Sequence, residues 1–237
     1  MKKNRCAAGI ILLKEFNVDL YPLYNSLRIA LISTVLIFFM GIGTAYYVAR
    51  MPKVIKGVLD VLLTVPLVLP PTVVGYLLLR FLGPHRLVGA FFFENFDIRL
   101  TMTWWSTIFA TVVVAFPLMY RTTRGAFESF DRNVENAART LGLSGGFIFW
   151  RIRIPCCKAG IIAGLVLAFA RALGEYGATS MISGYTPGIT ATVSTTVYNL
   201  WRTNNDDLAY KWVLLNLLIS ALVLVFLNLF EERRRKS

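Results

Sequence analysis

The chain is short of what a soluble catalyst would use. Charged residues make up 16% of it, there is one histidine, His85, and there are three cysteines, Cys6, Cys156 and Cys157. Two of those cysteines are neighbours and the third stands alone, so they do not make a disulfide framework. His85 sits beside Pro84 with no partner at metal-ligand spacing, and reads as a solvated loop histidine. No Ser/His/Asp or Cys/His constellation falls on a plausible soluble face, which argues against an enzyme. The G-x4-G-K-[ST] phosphate loop is missing as well, so the chain is not itself an ATPase. Acids are scarce, 13 against 25 Lys and Arg, for a net charge of +12. Such an excess can signal nucleic acid. Here the basic residues flank apolar runs and no soluble nucleic-acid module is present, so no nucleic-acid partner is expected.

What is plentiful is apolar surface. The 237 residues are 56% hydrophobic, beyond ordinary globular usage, which points to an all-α polytopic membrane protein. Residues 29–49 and 100–120 are each 21 residues without a charge, long enough to cross a hydrocarbon core that needs ~20. Three further spans are expected at 58–79, 160–183 and 212–230, for about five in all. Residues 80–99 and 184–211 read as external loops, with a short re-entrant or interfacial helix within 190–201 and a polar turn at 203–207. Trp104 and Trp105 would anchor the outer end of the third span, and Pro117 would kink it near the inner end.

Two of these spans carry residues that a lipid-facing helix avoids. The second contains Pro66, Pro70 and Pro71, the last two near its middle. A helix broken there survives only where it is buried in protein or lines a cavity. It also exposes a new helix N-terminus at Pro71, Thr72 and Val73, whose free amides and positive dipole end favour an anion. Either this break helps form a path for an oxyanion, with Thr72 as hydroxyl donor, or it is a kink needed only for packing. The fourth span contains Arg171 and Glu175, with Arg171 roughly 17 Å along it at ~1.5 Å per residue. Intramembrane charges are functional candidates. Being four apart, the two can also neutralise each other along one helix face. Arg171 is thus either half of a self-contained pair or a group that shifts between Glu175 and a passing anion or gate.

Residues 130–155 form the longest loop on the basic side. Val134, Ala137, Ala138 and Leu141 fall at i, i+3, i+4 and i+7 of an amphipathic helix, with Glu135, Asn136, Arg139 and Thr140 around the rest. An apolar face made mostly of alanine lets another backbone or a partner's groove approach closely. Asn133 is the expected N-cap, Glu135 lies in the first turn where the dipole favours an acid, and Gly142, Gly145 and Gly146 are expected to end the helix.

The order Asn136-Ala137-Ala138, three residues, Gly142, nine residues, Ile152-Arg153-Ile154-Pro155 resembles a known signature. It is the "EAA…G…I-x-L-P" pattern of permease subunits in bacterial and archaeal ABC importers. In that family the loop is the coupling helix, which docks into a cytoplasmic ATPase subunit. The resemblance makes Glu135, Asn136, Ala137, Ala138, Gly142 and Pro155 the ATPase-coupling residues. One departure is visible: Asn136 stands where the family has glutamate, and Glu135 comes one position earlier. Residues 65–79 look like molybdate permeases. So do residues 167–179, which also resemble the related sulfate and tungstate permeases.

The resemblance covers residues 23–230, nearly the whole chain. It implies a homodimer in the cell membrane, surrounded by lipid, with cytoplasmic ATP-binding subunits and an extracytoplasmic oxyanion-binding protein that delivers molybdate. ATP and Mg would sit on the ATPase, and no cofactor on this chain. Pro70, Pro71, Thr72, Arg171 and Glu175 would be the pathway or gate. A sulfate or tungstate permease of the same fold is the alternative; a passive anion channel would not explain the loop spacing.

Orientation follows from counting. With the 130–155 loop inside, the inner segments hold three, seven and four Lys and Arg, and the outer loops three and two. The C-terminus, with its basic tail 231–237, is then cytoplasmic and the N-terminus external. Five Lys and Arg ahead of residue 29 conflict with that rule. Residues 1–22 therefore read as a tolerated tail or interfacial segment, unless residues 6–27 insert.

Overall fold

A computed structural model of the chain describes residues 20–235, and no strand occurs among them. The first helix, α1 (Tyr21–Ala49), starts ahead of the expected span and takes in Arg28. That charge does not stop the helix, because its guanidinium lies over the Trp104 ring, 4.0 Å from the centroid. The rest of the expected tail, and the last two residues of the basic tail, lie outside the described residues.

The second expected span is two helices, α2 (Lys53–Val68) and α3 (Pro71–Leu82), bent by 110° from each other. The residues expected to form an external loop contain a helix, α4 (Leu87–Phe96). Next comes α5 (Trp104–Glu128), capped by Thr103 and Ser106 and continuous through Pro117. It runs past the expected end at residue 120, so Arg121 and Arg124 are helical rather than the start of a loop. The basic-side loop holds α6 (Arg132–Thr140), α7 (Gly145–Ile148), a π-helical segment (Phe149–Arg153) and α8 (Ile154–Cys156).

The fourth expected span is also broken, into α9 (Lys158–Leu173) and α10 (Gly177–Ile182). The short helix expected within 190–201 is α11 (Val193–Arg202), with Thr192 as its cap. The last helix, α12 (Asp206–Arg235), opens on Asp206 and Asp207, residues expected to be turn. Acids in a first turn suit the helix dipole.

One helix among the described residues, Tyr21–Ala49, is long and apolar enough to cross a membrane unaided. The number rises to three if two bent pairs, Lys53–Val68 with Pro71–Leu82 and Gly145–Cys156 with Lys158–Leu173, each count as one span. The helices pack around α5, whose Ala110, Val114, Phe116, Met119, Tyr120 and Phe127 are buried on several sides. One core joins it to Ile37, Ala45 and Val48 of α1 and Ile161 and Ala168 of α9; a second joins it to Val74 of α3 and Ala178 and Ile182 of α10. Between helices in lipid, close packing replaces the hydrophobic effect as the main attraction, which suits small residues at these contacts. The end of the bundle where α1 begins is fastened by polar bonds. Asn25 donates to the Ala191 carbonyl at 2.9 Å, and the Val193 amide donates to Ser26 at 2.9 Å.

Candidate functional site

Two regions bring the candidate residues together, and the first is where the broken helices meet. Leu69 precedes Pro70 and Pro70 precedes Pro71, and a residue before proline is pushed out of the helical region by the ring. Both are extended, with ψ of 142° and 134°, so α2 must stop and α3 restart at Pro71. Pro70 and Thr72 are exposed at this corner.

The second break follows α9, which ends at Gly174. Arg171 and Glu175 are paired, Nη1 to Oε2 at 2.6 Å, but not along one continuous helix face as expected. The helix has ended between them, and the other carboxylate oxygen accepts from the Ala178 amide at 2.8 Å. Glu175 therefore caps α10 while holding Arg171. The carboxylate is 2% exposed and the guanidinium side chain 29%. The second function of Glu175, as a cap, is invisible in spacing because it requires the helix to break.

The two breaks lie against each other. A Cβ on Gly177 would sit 2.9 Å from Pro71 Cβ and 3.1 Å from the Thr72 amide nitrogen. A Cβ on Gly75 would sit 2.7 Å from the Ala178 backbone. Only glycine permits this approach of α3 and α10. The corner Pro71-Thr72 and the Glu175 cap thus belong to one assembly. Beyond it, Ser183 meets Ser106 at 2.8 Å and Thr107 at 3.0 Å, a buried hydroxyl cluster.

The second region is the basic-side loop. The N-cap of α6 is Asp131, not Asn133: Asp131 is extended and its Oδ1 accepts from the Asn133 amide at 2.8 Å. Gly142 does end the helix, with φ of +78°, but Gly145 and Gly146 begin α7 behind the Ser144 cap. Of the alanine face only Ala138 is buried. Val134, Ala137 and Leu141 are exposed, Leu141 at 78%, as are Asn136, Gly142 and Pro155.

Glu135 turns inward instead. Its Oε1 meets Arg139 at 2.9 Å and Arg50 at 3.2 Å, and its Oε2 meets Arg153, which is 6% exposed. The two incoming arginines rest on aromatic rings: Arg50 is 3.9 Å from the Tyr46 centroid, and Arg153 is 5.1 Å from Phe130. Burial raises the Glu135 pKa, but the Arg139 hydrogen bond and the charges of Arg153, Arg50 and Arg139 outweigh it and hold the carboxyl below its ordinary value. A cleft of about 590 Å³ opens beside it, lined by Arg50, Lys56, Glu128, Asn136 and Arg153 among others.

The sequence marks Arg50 as a basic-side residue and Arg153 as part of the loop signature, but their spacing does not show that they converge on Glu135. Nor is Asp60, in the expected second span, among the expected site residues; it meets Arg124 at 3.2 Å. An acid inside an apolar run was the signal available for it. Among the described residues no group of His, Cys, Asp or Glu could hold a metal ion.

The sequence pattern described as "Binding-protein-dependent transport system inner membrane component" matches residues 33–236. The molybdenum transport system permease protein ModB of Escherichia coli K12 is 40% identical over 182 residues, 77% of this chain and 80% of that one. The sulfate transport system permease protein CysW of Synechococcus elongatus is 32% identical over 208 residues, 88% of this chain and 72% of that one. Among solved structures, a bacterial alginate ABC transporter in complex with its alginate-bound periplasmic protein has a chain that superposes with a TM-score of 0.78. That match is 20% identical and covers 95% of this chain and 83% of the other.

Proposed function

The chain belongs to the family of binding-protein-dependent transport system inner membrane components, and we propose that its cargo is molybdate. It is the permease of an ABC importer and not an enzyme. Hydrolysis of ATP with Mg falls to a separate cytoplasmic subunit, and delivery of the anion to an extracytoplasmic binding protein. Two copies of the permease form the pathway between them. In support of that dimer, α2 buries none of its residues within one chain and exposes Val54, Val58, Val61, Leu62, Val65 and Val68 for lipid or a second copy. The C-terminus faces the cytoplasm and the N-terminus the outside.

The observation that carries the anion reading is the meeting of the two helix breaks beside a half-buried arginine. Broken helices at membrane depth line a path rather than face lipid, and Arg171 is the charge such a path offers to a tetrahedral dianion. Pro70, Pro71, Thr72, Arg171 and Glu175 are the pathway or gate residues. At the other end, α6 is the coupling helix. Asn136, Ala137, Leu141 and Gly142 present its open face to the ATPase, while Ala138 and Glu135 hold it from behind.

The test is uptake by cells lacking their own high-affinity system and expressing this chain with its ATPase and binding protein. Molybdenum, tungsten and labelled sulfate are assayed at submicromolar supply. Molybdenum uptake should vanish with Gly142→Asp and fall with Thr72→Val while the complex still assembles. The CysW similarity favours sulfate as the second reading. Sulfate uptake indifferent to molybdate would establish that cargo and remove the first.

A further inference from the structure

The coupling helix is held from inside by one carboxylate, and its partners lie on two other parts of the chain. Arg50 follows the end of α1, and Arg153 ends the π segment that leads through α8 into α9, the helix carrying Arg171. Tyr46, Phe127, Phe130 and Phe149 pack beneath them. The Tyr46 and Phe149 rings are 4.4 Å apart between centroids, and Tyr46 and Phe127 are 6.2 Å apart. The box therefore joins the inner ends of α1 and α5 to the π segment.

The charges sort themselves by face. Glu135 is screened by three arginines, with its side chain 12% exposed, while the next residue, Asn136, points outward. An acid saturated in this way has little left to offer another protein. A π turn carries one more residue than an α turn, which changes the side chain that faces inward at its end. In this segment Arg151 is exposed and Arg153 is buried against Glu135.

Resting on the reading of α6 as the ATPase-docking element, we infer that Glu135 is a positioning residue. It clamps the coupling helix from within to Arg153 and Arg50, and leaves the outward polar contact with the ATPase to Asn136. When the ATPase moves α6, Glu135 pulls on Arg153 and so on the foot of α9, and the displacement reaches the Arg171–Glu175 pair along that helix. Glu135, one position ahead of the loop signature, and Arg153, within its closing Ile152–Pro155 stretch, are eighteen positions apart and form the two jaws of the clamp.

The experiment uses the permease in proteoliposomes with its ATPase subunit and molybdate-loaded binding protein. Three quantities are read: retention of the ATPase through purification, ATP hydrolysis, and molybdate imported per ATP. Glu135→Gln and Arg153→Met should each retain the ATPase yet lower molybdate per ATP roughly ten-fold, as expected of a lost inter-site coupling. The double variant should be no worse than either single one. Asn136→Ala should weaken ATPase retention and leave the ratio unchanged.

If Glu135→Gln sheds the ATPase while Arg153→Met keeps it, or if the two effects multiply in the double variant, the clamp is wrong. Should Arg153→Met fail to assemble, Arg153→Lys decides. It keeps a charge within reach of Glu135 and should preserve most of the ratio, and a ratio as low as that of Glu135→Gln overturns the inference. The docking reading has its own control in Leu141→Arg on the exposed face. Retention of the ATPase by that variant would remove the docking reading itself. Wild-type protein that imports no molybdate would remove the substrate reading, leaving retention and ATP hydrolysis to decide the clamp.

Discussion

Gly177 lies against Thr72 so closely that a methyl group on residue 177 would come within 3.1 Å of the Thr72 amide nitrogen and 2.9 Å of the Pro71 ring. Two helices that each stop and restart are thereby pressed together at their restarting ends. The two nearest neighbours at this contact are a proline ring and backbone, which cannot swing aside as a flexible side chain would.

Gly177→Ala should therefore destabilise the permease by about 1–3 kcal/mol, the usual cost of overpacking. The gain in helix propensity, under ~1 kcal/mol, is too small to reverse the sign. Thermal unfolding in detergent measures this, and a melting temperature at or above wild type would refute the close contact.

Arg171 and Glu175 offer a sharper choice. Arg171→Met leaves a buried carboxylate uncompensated and should cost about 3–5 kcal/mol. Glu175→Gln should cost less, about 1–3 kcal/mol, because Arg171 is partly exposed and glutamine can still accept from Ala178. The double variant should recover most of the stability. Its uptake should nevertheless stay low, since the proposed path then lacks its arginine. Recovered uptake would mean that the pair serves packing alone.

Asp131→Ala removes the side-chain cap of a nine-residue helix that cannot persist by itself. About 1 kcal/mol of local stability should go with it. Hydrogen exchange should then quicken about five-fold at the amides of α6 and stay unchanged at those of α5.

The Glu135 clamp should be indifferent to pH across the physiological range. Its carboxyl is held below the ordinary 4.5 in the folded chain, so it binds its proton less readily there than when unfolded. The stability it contributes is present above that ordinary value and is lost as pH falls through the lowered one. The difference in melting temperature between wild type and Glu135→Gln should be constant from pH 8 to pH 5.5, and should shrink only in more acidic buffer. A difference that faded already near pH 6.5 would mean the arginines do not hold the carboxylate.

Composition, the charge-free runs, the paired prolines and the loop signature determined the family-level architecture by themselves. Each rests on local physics: apolar length against bilayer thickness, the pre-proline clash at Leu69 and Pro70, and the helical period of 134–141. The left-handed turn at Gly142 was equally legible, because few residues other than glycine accept it. Local rules misjudged what depends on a neighbour. Asp131 rather than Asn133 became the cap because the chain entered α6 two residues earlier. Arg28 and Arg121 stayed helical because α1 and α5 extend past their apolar runs. Only the tertiary structure brought Gly177 to Thr72, made Glu175 a cap, and turned Glu135 toward Arg50 and Arg153. Those contacts join residues up to 105 positions apart, and side-chain periodicity carries no information across such distances.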